Sequence, residues 1–344
     1  MFRKYTDFAV EKSLELLAID SPTGYTAQAA EYLMEELKKL GCEPFMTIKG
    51  GVGVDLGGKD ADNAVMFAAH LDTLGGMVCE IKSNGRLKLT RLGGLNAVNC
   101  ETENCRIVTK KNGVYEGTLQ LCNASAHVNG ELRDAKRDFD TTEVVIDEDV
   151  KDEEGVKALG ISVGDFVCFE PRARVTASGY IKSRFLDDKL SVGCVLAFAK
   201  YLKDGNIVPE RKVYAYFTVY EEVGHGCSHV PFKGVTDAVS VDMGCVGEGI
   251  TCTERQVSIC AKDSGGPYAY ETVKKLIEAA EKTGADYAVD VYPHYGSDVE
   301  ASLEGGLDAR HGLIGPGVYA SHGYERSHRD GVENTIKVLA GFVM

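Results

Sequence analysis

The texture of the chain changes twice along its length, and this limits the folds open to it. Up to about residue 74, and again from about residue 173, apolar strands alternate with segments of helical periodicity. Between about Gly75 and Arg172 there are only short strands and hairpin turns. Alternating strands and helices imply an α/β domain with a mostly parallel sheet and helices on both faces. A block of short strands without a long helix does not fit inside such a sheet. It reads as a small β-barrel-like domain, 75–172, inserted into a discontinuous domain of 1–74 and 173–344. A chain of 344 residues has room for both.

Within the larger domain, Val10, Leu14 and Leu17, then Leu33, Leu37 and Leu40, mark helices over 7–20 and 26–40, separated by Pro22-Thr23-Gly24 and stopped by Gly41. Strands are expected at 52–56 and 64–69, then a helix at 187–203 and strands at 213–220, 238–241, 256–261 and 287–291. Further helices are expected at 268–283 and 330–341. In the insertion, 78–82, 86–92, 106–110, 114–121 and 166–170 read as strands, with Asn84-Gly85 and Asn112-Gly113 as turns. The charged stretch 134–157 reads either as a flexible excursion or as a solvated helix.

Composition removes several classes of function. The 38 basic and 52 acidic residues leave a net charge of −14, a field that repels nucleic acid and anionic lipid, so neither is expected as a partner. No apolar run approaches the ~20 residues that span a bilayer, and the first residues do not resemble a signal peptide, which points to the cytoplasm. The eleven cysteines form no CxxC framework, and Cys100 and Cys105 have no second pair at matching spacing. They read as reduced, packed thiols rather than disulfides or a zinc site.

In an open α/β sheet ligands bind beyond the carboxyl ends of the strands. The residues there are His70 and Asp72, Glu221 and Glu222, Asp242, the pair Asp187-Asp188 at a helix start, and the late His322. Imidazole with carboxylates suits zinc, cobalt or manganese, and one carboxylate can bridge two such ions. Several strand-end carboxylates would repel one another without a cation. On an extended chain, Asp72 would hold the ring of His70. Glu221 and Glu222 would point to opposite sides, one free to bind metal and the other to act as base. His225 and His229, four apart, could bind zinc on a helix, but Gly224 and Gly226 favour a loop. His127, His294, His311 and His328 are read as structural.

Ala69-His70-Leu71-Asp72-Thr73, Phe185-Leu186-Asp187-Asp188-Lys189, Glu221-Glu222-Val223-Gly224, Val241-Asp242-Met243-Gly244 and Ser321-His322-Gly323-Tyr324-Glu325 occur in this order. Together they resemble the successive signatures of the M42 metallo-aminopeptidases, the tetrahedral (TET) group, over essentially the whole chain. Thr73 and His225 depart from the residue types usual there. The resemblance implies two divalent ions (Zn, Co or Mn), one held by His70, Asp187 and Asp242 and the other by Glu222 and His322, with Asp187 bridging. It further implies Glu221 as general base, a cis peptide at Asp187-Asp188, small peptides as substrates, and assembly through the inserted domain into a homo-oligomer, up to a tetrahedral dodecamer. Asp298, in Tyr295-Gly296-Ser297-Asp298, is a candidate substrate contact. A dimetal carboxypeptidase or deacylase using Arg184, Arg310 or Arg326 is the alternative hydrolase, and a noncatalytic assembly protein of the same fold is the alternative outside catalysis.

Overall fold

The computed structural model describes residues 2–344. The chain divides into two compact units, one comprising the residues up to Asp72 with Arg172–Met344 and the other Thr73–Pro171. Among the described residues no helix is long and apolar enough to cross a membrane, and all eleven cysteines are free thiols.

The first unit is built on a 12-stranded sheet. At its centre the strands Arg211–Thr218, Asp60–His70, Val235–Val241 and Arg310–Tyr319 lie side by side and parallel. Antiparallel pairs form its margins, Val52–Gly57 on one side and Glu325–His328 with Tyr180–Ser183 on the other. The central strands are apolar runs because both faces are covered. Phe67 packs edge-on against Phe198 of the helix Leu186–Asp204 (ring centroids 5.5 Å) and lies 6.2 Å from Phe342 of the helix Arg329–Val343. Its neighbours Met66 and Ala68 point the other way, into a core with Tyr216, Tyr292 and Val299. The first face also carries the helices Arg3–Leu17, Ala27–Lys39 and Tyr270–Thr283. The second is covered by the short helix Asp298–Glu304 and by loops.

The strand Arg310–Tyr319 has no counterpart in the sequence reading, because Gly312, Gly315, Pro316 and Gly317 interrupt its apolar pattern. Packing requires at least two of them: a Cβ on Gly315 would stand 1.4 Å from the carbonyl oxygen of Asp242, and one on Gly317 2.2 Å from that of Thr253. The expected strand 213–220 ends earlier, at Thr218. The backbone at Tyr220 turns to φ 72°, and Glu221–Val223 forms a 3-10 turn.

The second unit is a closed antiparallel barrel of six strands, Gly75–Ile81, Leu87–Leu92, Thr142–Ile146, Val114–Leu121, Asn104–Val108 and Phe166–Phe169, in that order around it. Leu87, Leu89, Ile107, Leu119, Val144 and Val167 are buried, and closure leaves no open edge among these strands. The stretch 134–157 is the expected solvated helix only at its end. It contributes the barrel strand Thr142–Ile146, whose apolar core of Val144, Val145 and Ile146 is hidden between charged neighbours, and the short helix Glu153–Ala158, capped by Asp152.

At the amino ends of the central strands Asp237 is fully buried and doubly paired. It accepts bonds from Arg310 Nε and Nη2 at 2.8 and 2.7 Å, from Thr272 Oγ1 at 3.1 Å, and from Arg211 Nη2. Burial opposes its ionisation, but Arg310 and Arg211 prevail and bring its carboxyl down to about 2. A depressed folded-state pKa stabilises the fold above the ordinary carboxyl value, and that stability is lost as pH falls toward 2. Asp237→Asn strands two arginines and is expected to cost about 3 kcal/mol, the low end for a broken buried pair because Arg310 is partly exposed. It should also flatten the acid limb of stability. Urea unfolding at pH 7 and pH 3 measures both; an unchanged midpoint at pH 7 would refute the account.

Candidate metal centre and its cavity

Parallel register carries the chemistry-bearing residues to one edge of the sheet. His70 is the last residue of its strand and lies opposite Thr218, Asp242 follows Val241, and Glu221 and Glu222 occupy the turn after Thr218. His322 lies in the turn after Tyr319 with φ 61°. Asp187 and Asp188 open the helix Leu186–Asp204 in non-helical geometry, and the peptide bond between them is cis.

These side chains converge. The two oxygens of Asp187 face two different histidines: Oδ1 lies 3.1 Å from His70 Nε2 and Oδ2 lies 3.4 Å from His322 Nε2. Glu222 Oε2 is 3.7 Å from His322 Nε2, and Glu221 Oε2 is 3.7 Å from His70 Nε2. His70, Asp187 and Glu222 form one group with ligand atoms within 4.8 Å of one another, and His70, Asp188 and Asp242 form another. Asp188 therefore joins the cluster more closely than the sequence reading had it; it also accepts the His70 main-chain N–H at 3.0 Å.

The charge of this cluster is not balanced by the protein. Asp188 Oδ1 and Glu222 Oε1 are buried without a hydrogen-bond partner. Burial and the charge of Asp187 push Asp242 up to about 7. Burial also raises Glu221, Glu222 and Asp188 well above the usual carboxylate range. Burial disfavours the His70 imidazolium, yet Glu221 and Asp187 overcome this and hold its pKa well above the ordinary one. Only Asp187 is lowered, because bonds from His322 and His70 outweigh its own burial. Orphaned carboxylate oxygens beside two imidazoles are the donor set that a divalent cation satisfies.

The expected bond between the Asp72 carboxylate and the His70 ring is corrected. The ring Nδ1 donates to the main-chain carbonyl of Asp72 at 2.9 Å, while the carboxylate Oδ1 stands 3.7 Å away. The strand ends at His70, so the chain beyond it no longer alternates in the extended sense assumed. The Asp72 carboxylate instead accepts the N–H groups of Glu221 (3.1 Å) and Glu222 (3.4 Å) and the hydroxyl of Thr23 (2.6 Å). Because a carbonyl only accepts, Nδ1 carries a proton and Nε2 is left to face Asp187. Thr23 was legible in sequence only as part of a helix-breaking turn.

A cavity of about 740 Å³ opens beside the cluster, with Asp187, Glu221, Glu222, Asp242 and His322 on one wall and His294, Tyr295, Asp298 and Glu300 on another. Among the described residues no lysine or arginine lines it. His294, read from sequence as structural, is an exposed residue of this wall. Asp298 is buried and accepts Thr218 Oγ1 and, at 2.8 Å, the Cys227 N–H; burial raises it to about 6. Gly226 makes this possible, since a Cβ there would fall 2.1 Å from Asp298 Oδ1. His225 and His229 lie on a loop, with the His225 ring stacked on Tyr220 at 5.1 Å.

A profile described as M42 glutamyl aminopeptidase matches residues 50–338. The chain belongs to the M42 peptidase family. "Putative aminopeptidase YhfE" of Bacillus subtilis (strain 168) is 42% identical over 96% of this chain and 95% of its own length. The fold is that of solved relatives at lower identity. Aminopeptidase APDkam598 from the archaeon Desulfurococcus kamchatkensis has a TM-score of 0.87 at 20% identity, over 98% of this chain and 95% of that one. A Pyrococcus horikoshii TET1 peptidase, described as able to assemble into a tetrahedron or a large octahedral shell, has 0.85 at 23%, over 98% and 99%. As an M42 member the protein is a hydrolase of a metal-dependent family.

Groups whose folded-state pKa is raised give stability that is present below the unfolded value and lost as pH climbs through the folded one. For chelator-treated protein, Asp242 at about 7 and the raised Glu221 and Glu222 therefore predict a melting temperature that falls from pH 5 to pH 8. Added Zn²⁺ or Co²⁺ should restore it most at pH 8. Differential scanning fluorimetry across that range decides; metal-independent melting at pH 8 would contradict the reading.

Proposed function

We propose that the protein is an aminopeptidase that removes the N-terminal residue of small peptides with the help of two divalent ions (Zn, Co or Mn). The observation that carries the N-terminal preference is the cavity wall, which bears carboxylates and, among the described residues, no lysine or arginine. A free α-ammonium group is attracted to such a wall, and a substrate carboxylate is repelled. The carboxypeptidase alternative needs an arginine, and two of its three candidates are committed elsewhere. Arg310 is bound to Asp237 at the opposite ends of the strands, and Arg326 is paired with Glu254 and stacked over Tyr180. Arg184 is buried near the ring of Tyr324.

His70, Asp187 and Asp242 would hold one ion, and Glu222 and His322 the other, with Asp187 shared between its two facing histidines. Bound ions of this kind polarise a carbonyl and make water a nucleophile near neutral pH. Glu221 is then the general base: it takes a proton from the attacking water and passes it to the leaving amine nitrogen. Asp72 fixes the turn that presents Glu221 and Glu222 by accepting both of their N–H groups. Asp298 lines the same cavity, which supports the reading that it contacts the substrate. The free thiols and the strongly acidic surface fit a cytoplasmic setting.

The barrel unit is the proposed assembly domain of a homo-oligomer, up to a tetrahedral dodecamer, a reading supported by the assemblies described for the Pyrococcus horikoshii relative. Light scattering on the full chain should then give a particle of several 37.1 kDa subunits, twelve for the tetrahedron. A monomer at micromolar concentration would refute assembly.

Catalysis is tested with Glu221→Gln, which keeps the shape of the side chain but cannot take the proton. We expect kcat to fall ~10²–10⁴-fold with both ions still bound. Asp187→Ala should instead lose metal, read by elemental analysis. An amino-acyl chromogenic substrate should be cleaved and its N-acetylated counterpart spared; preference for the acetylated form, or for a peptide's C-terminal bond, would overturn the aminopeptidase reading.

A further inference from the structure

Glu325 belongs to neither group of candidate ligands, yet it touches the main chain of two residues proposed to hold the ions. Its Oε2 accepts the Asp187 N–H at 3.0 Å and its Oε1 accepts the His322 N–H at 2.9 Å. The side chain is 1% exposed. Topology makes the double contact possible. After the His322 turn the chain returns as the strand Glu325–His328, antiparallel to Tyr180–Ser183, with Glu325 opposite Ser183 in the segment that leads to Asp187.

Both recipients lie where the backbone leaves regular structure. Asp187 has φ −71° and ψ 103° after Phe185 at φ 67°, and His322 has φ 61° in a turn that also holds Ala320 at φ 60°. A main-chain N–H in such a place needs a partner that helix and strand ladders do not supply. A carboxyl group buried near other carboxylates is costly, and the two main-chain N–H groups give each of its oxygens a partner.

We propose that Glu325 is a positioning residue that sets the separation of the Asp187 carboxylate and the His322 ring by clamping their main-chain N–H groups; this rests on the metal reading above. The two sides of the centre depend on it unequally. His70 is fully buried and its ring is anchored by the Asp72 carbonyl. The His322 side chain is 40% exposed and its ring lies 3.4 Å from Asp187. Loss of the clamp therefore weakens chiefly the ion held by Glu222 and His322; the other, although it shares Asp187, keeps the anchored His70 and Asp242.

The test is a Co²⁺ titration of chelator-treated, full-length protein, followed by calorimetry and by the cobalt absorption spectrum. Glu325→Gln keeps the volume but turns one acceptor into an N–H₂ donor that confronts a main-chain N–H. One Co²⁺ should bind as in the parent and the second ~10–100-fold more weakly, with activity partly regained at saturating Co²⁺. Asp237→Asn is the control for instability alone, and should melt earlier while binding both ions as the parent does. If Glu325→Gln fails to fold, Glu325→Asp, which withdraws both acceptors by one methylene, is titrated instead with the same loss expected. Parent-like binding of both ions by the folded variant, or an equal loss in Asp237→Asn, overturns the proposal. A parent that binds no divalent ion removes the metal reading itself and the proposal with it.

Discussion

Five carboxylates, Asp187, Asp188, Glu221, Glu222 and Asp242, are forced together at one edge of a sheet, and most of what is unusual in the structure follows from the need to live with them. Two unit charges about 4 Å apart interact by about 4 kcal/mol at an effective dielectric constant near 20. A few such repulsions rival the whole net stability of a domain, about 5–15 kcal/mol. The cluster therefore holds protons or it holds cations. The raised pKa values and the orphaned oxygens of Asp188 and Glu222 describe the first state. The two histidines facing opposite oxygens of Asp187 describe a scaffold ready for the second.

The other ends of the same strands show that buried carboxylates need not be unbalanced. Asp237 is as inaccessible as any of the five, but Arg211 and Arg310 meet it directly and its pKa falls rather than rises. The fold thus separates two uses of one residue type along a single strand. At the amino end of Val235–Val241 a carboxylate is neutralised by the chain and contributes stability. Just past its carboxyl end, Asp242 meets the His70 ring but also the charge of Asp187, and with its burial its pKa rises instead. Parallel pairing makes the division systematic, because every central strand delivers its terminal residue to the same edge.

How far the sequence revealed this depends on whether a feature is local. Apolar runs ending in His70, Glu221-Glu222 and Asp242 announce both strands and site, because period and polarity are written in consecutive residues. The barrel strand Thr142–Ile146 and the central strand Arg310–Tyr319 were hidden, the first by flanking charge and the second by glycines. At Gly315 the need for glycine comes from Asp242, some seventy positions away, so no local pattern could carry it. The same limit explains Asp72. Its spacing from His70 suggested a carboxylate–imidazole bond, but the end of the strand at His70 gives the ring to the carbonyl and frees the carboxylate for the Glu221–Glu222 turn. The clamp by Glu325 was equally out of reach, since it depends on how a returning strand registers against Ser183.

Charge also decides what kind of peptide end such a site can accept. With two divalent ions in place, as proposed above, four positive charges offset all but one of the five clustered carboxylates, and Asp298, Glu300 and Glu304 remain on the cavity wall. Burial keeps Asp298 and Glu300 partly protonated in the absence of a cation, with pKa values of about 6 and about 7. An approaching ammonium group lowers those values and makes the carboxylates better partners, so binding and ionisation reinforce each other. A substrate carboxylate has the opposite effect: it drives the wall toward its neutral form and finds, among the described residues, no lysine or arginine there to hold it. The proposed preference for a free N-terminus therefore calls for no dedicated pocket, because the sign of charge that the wall can stabilise would suffice.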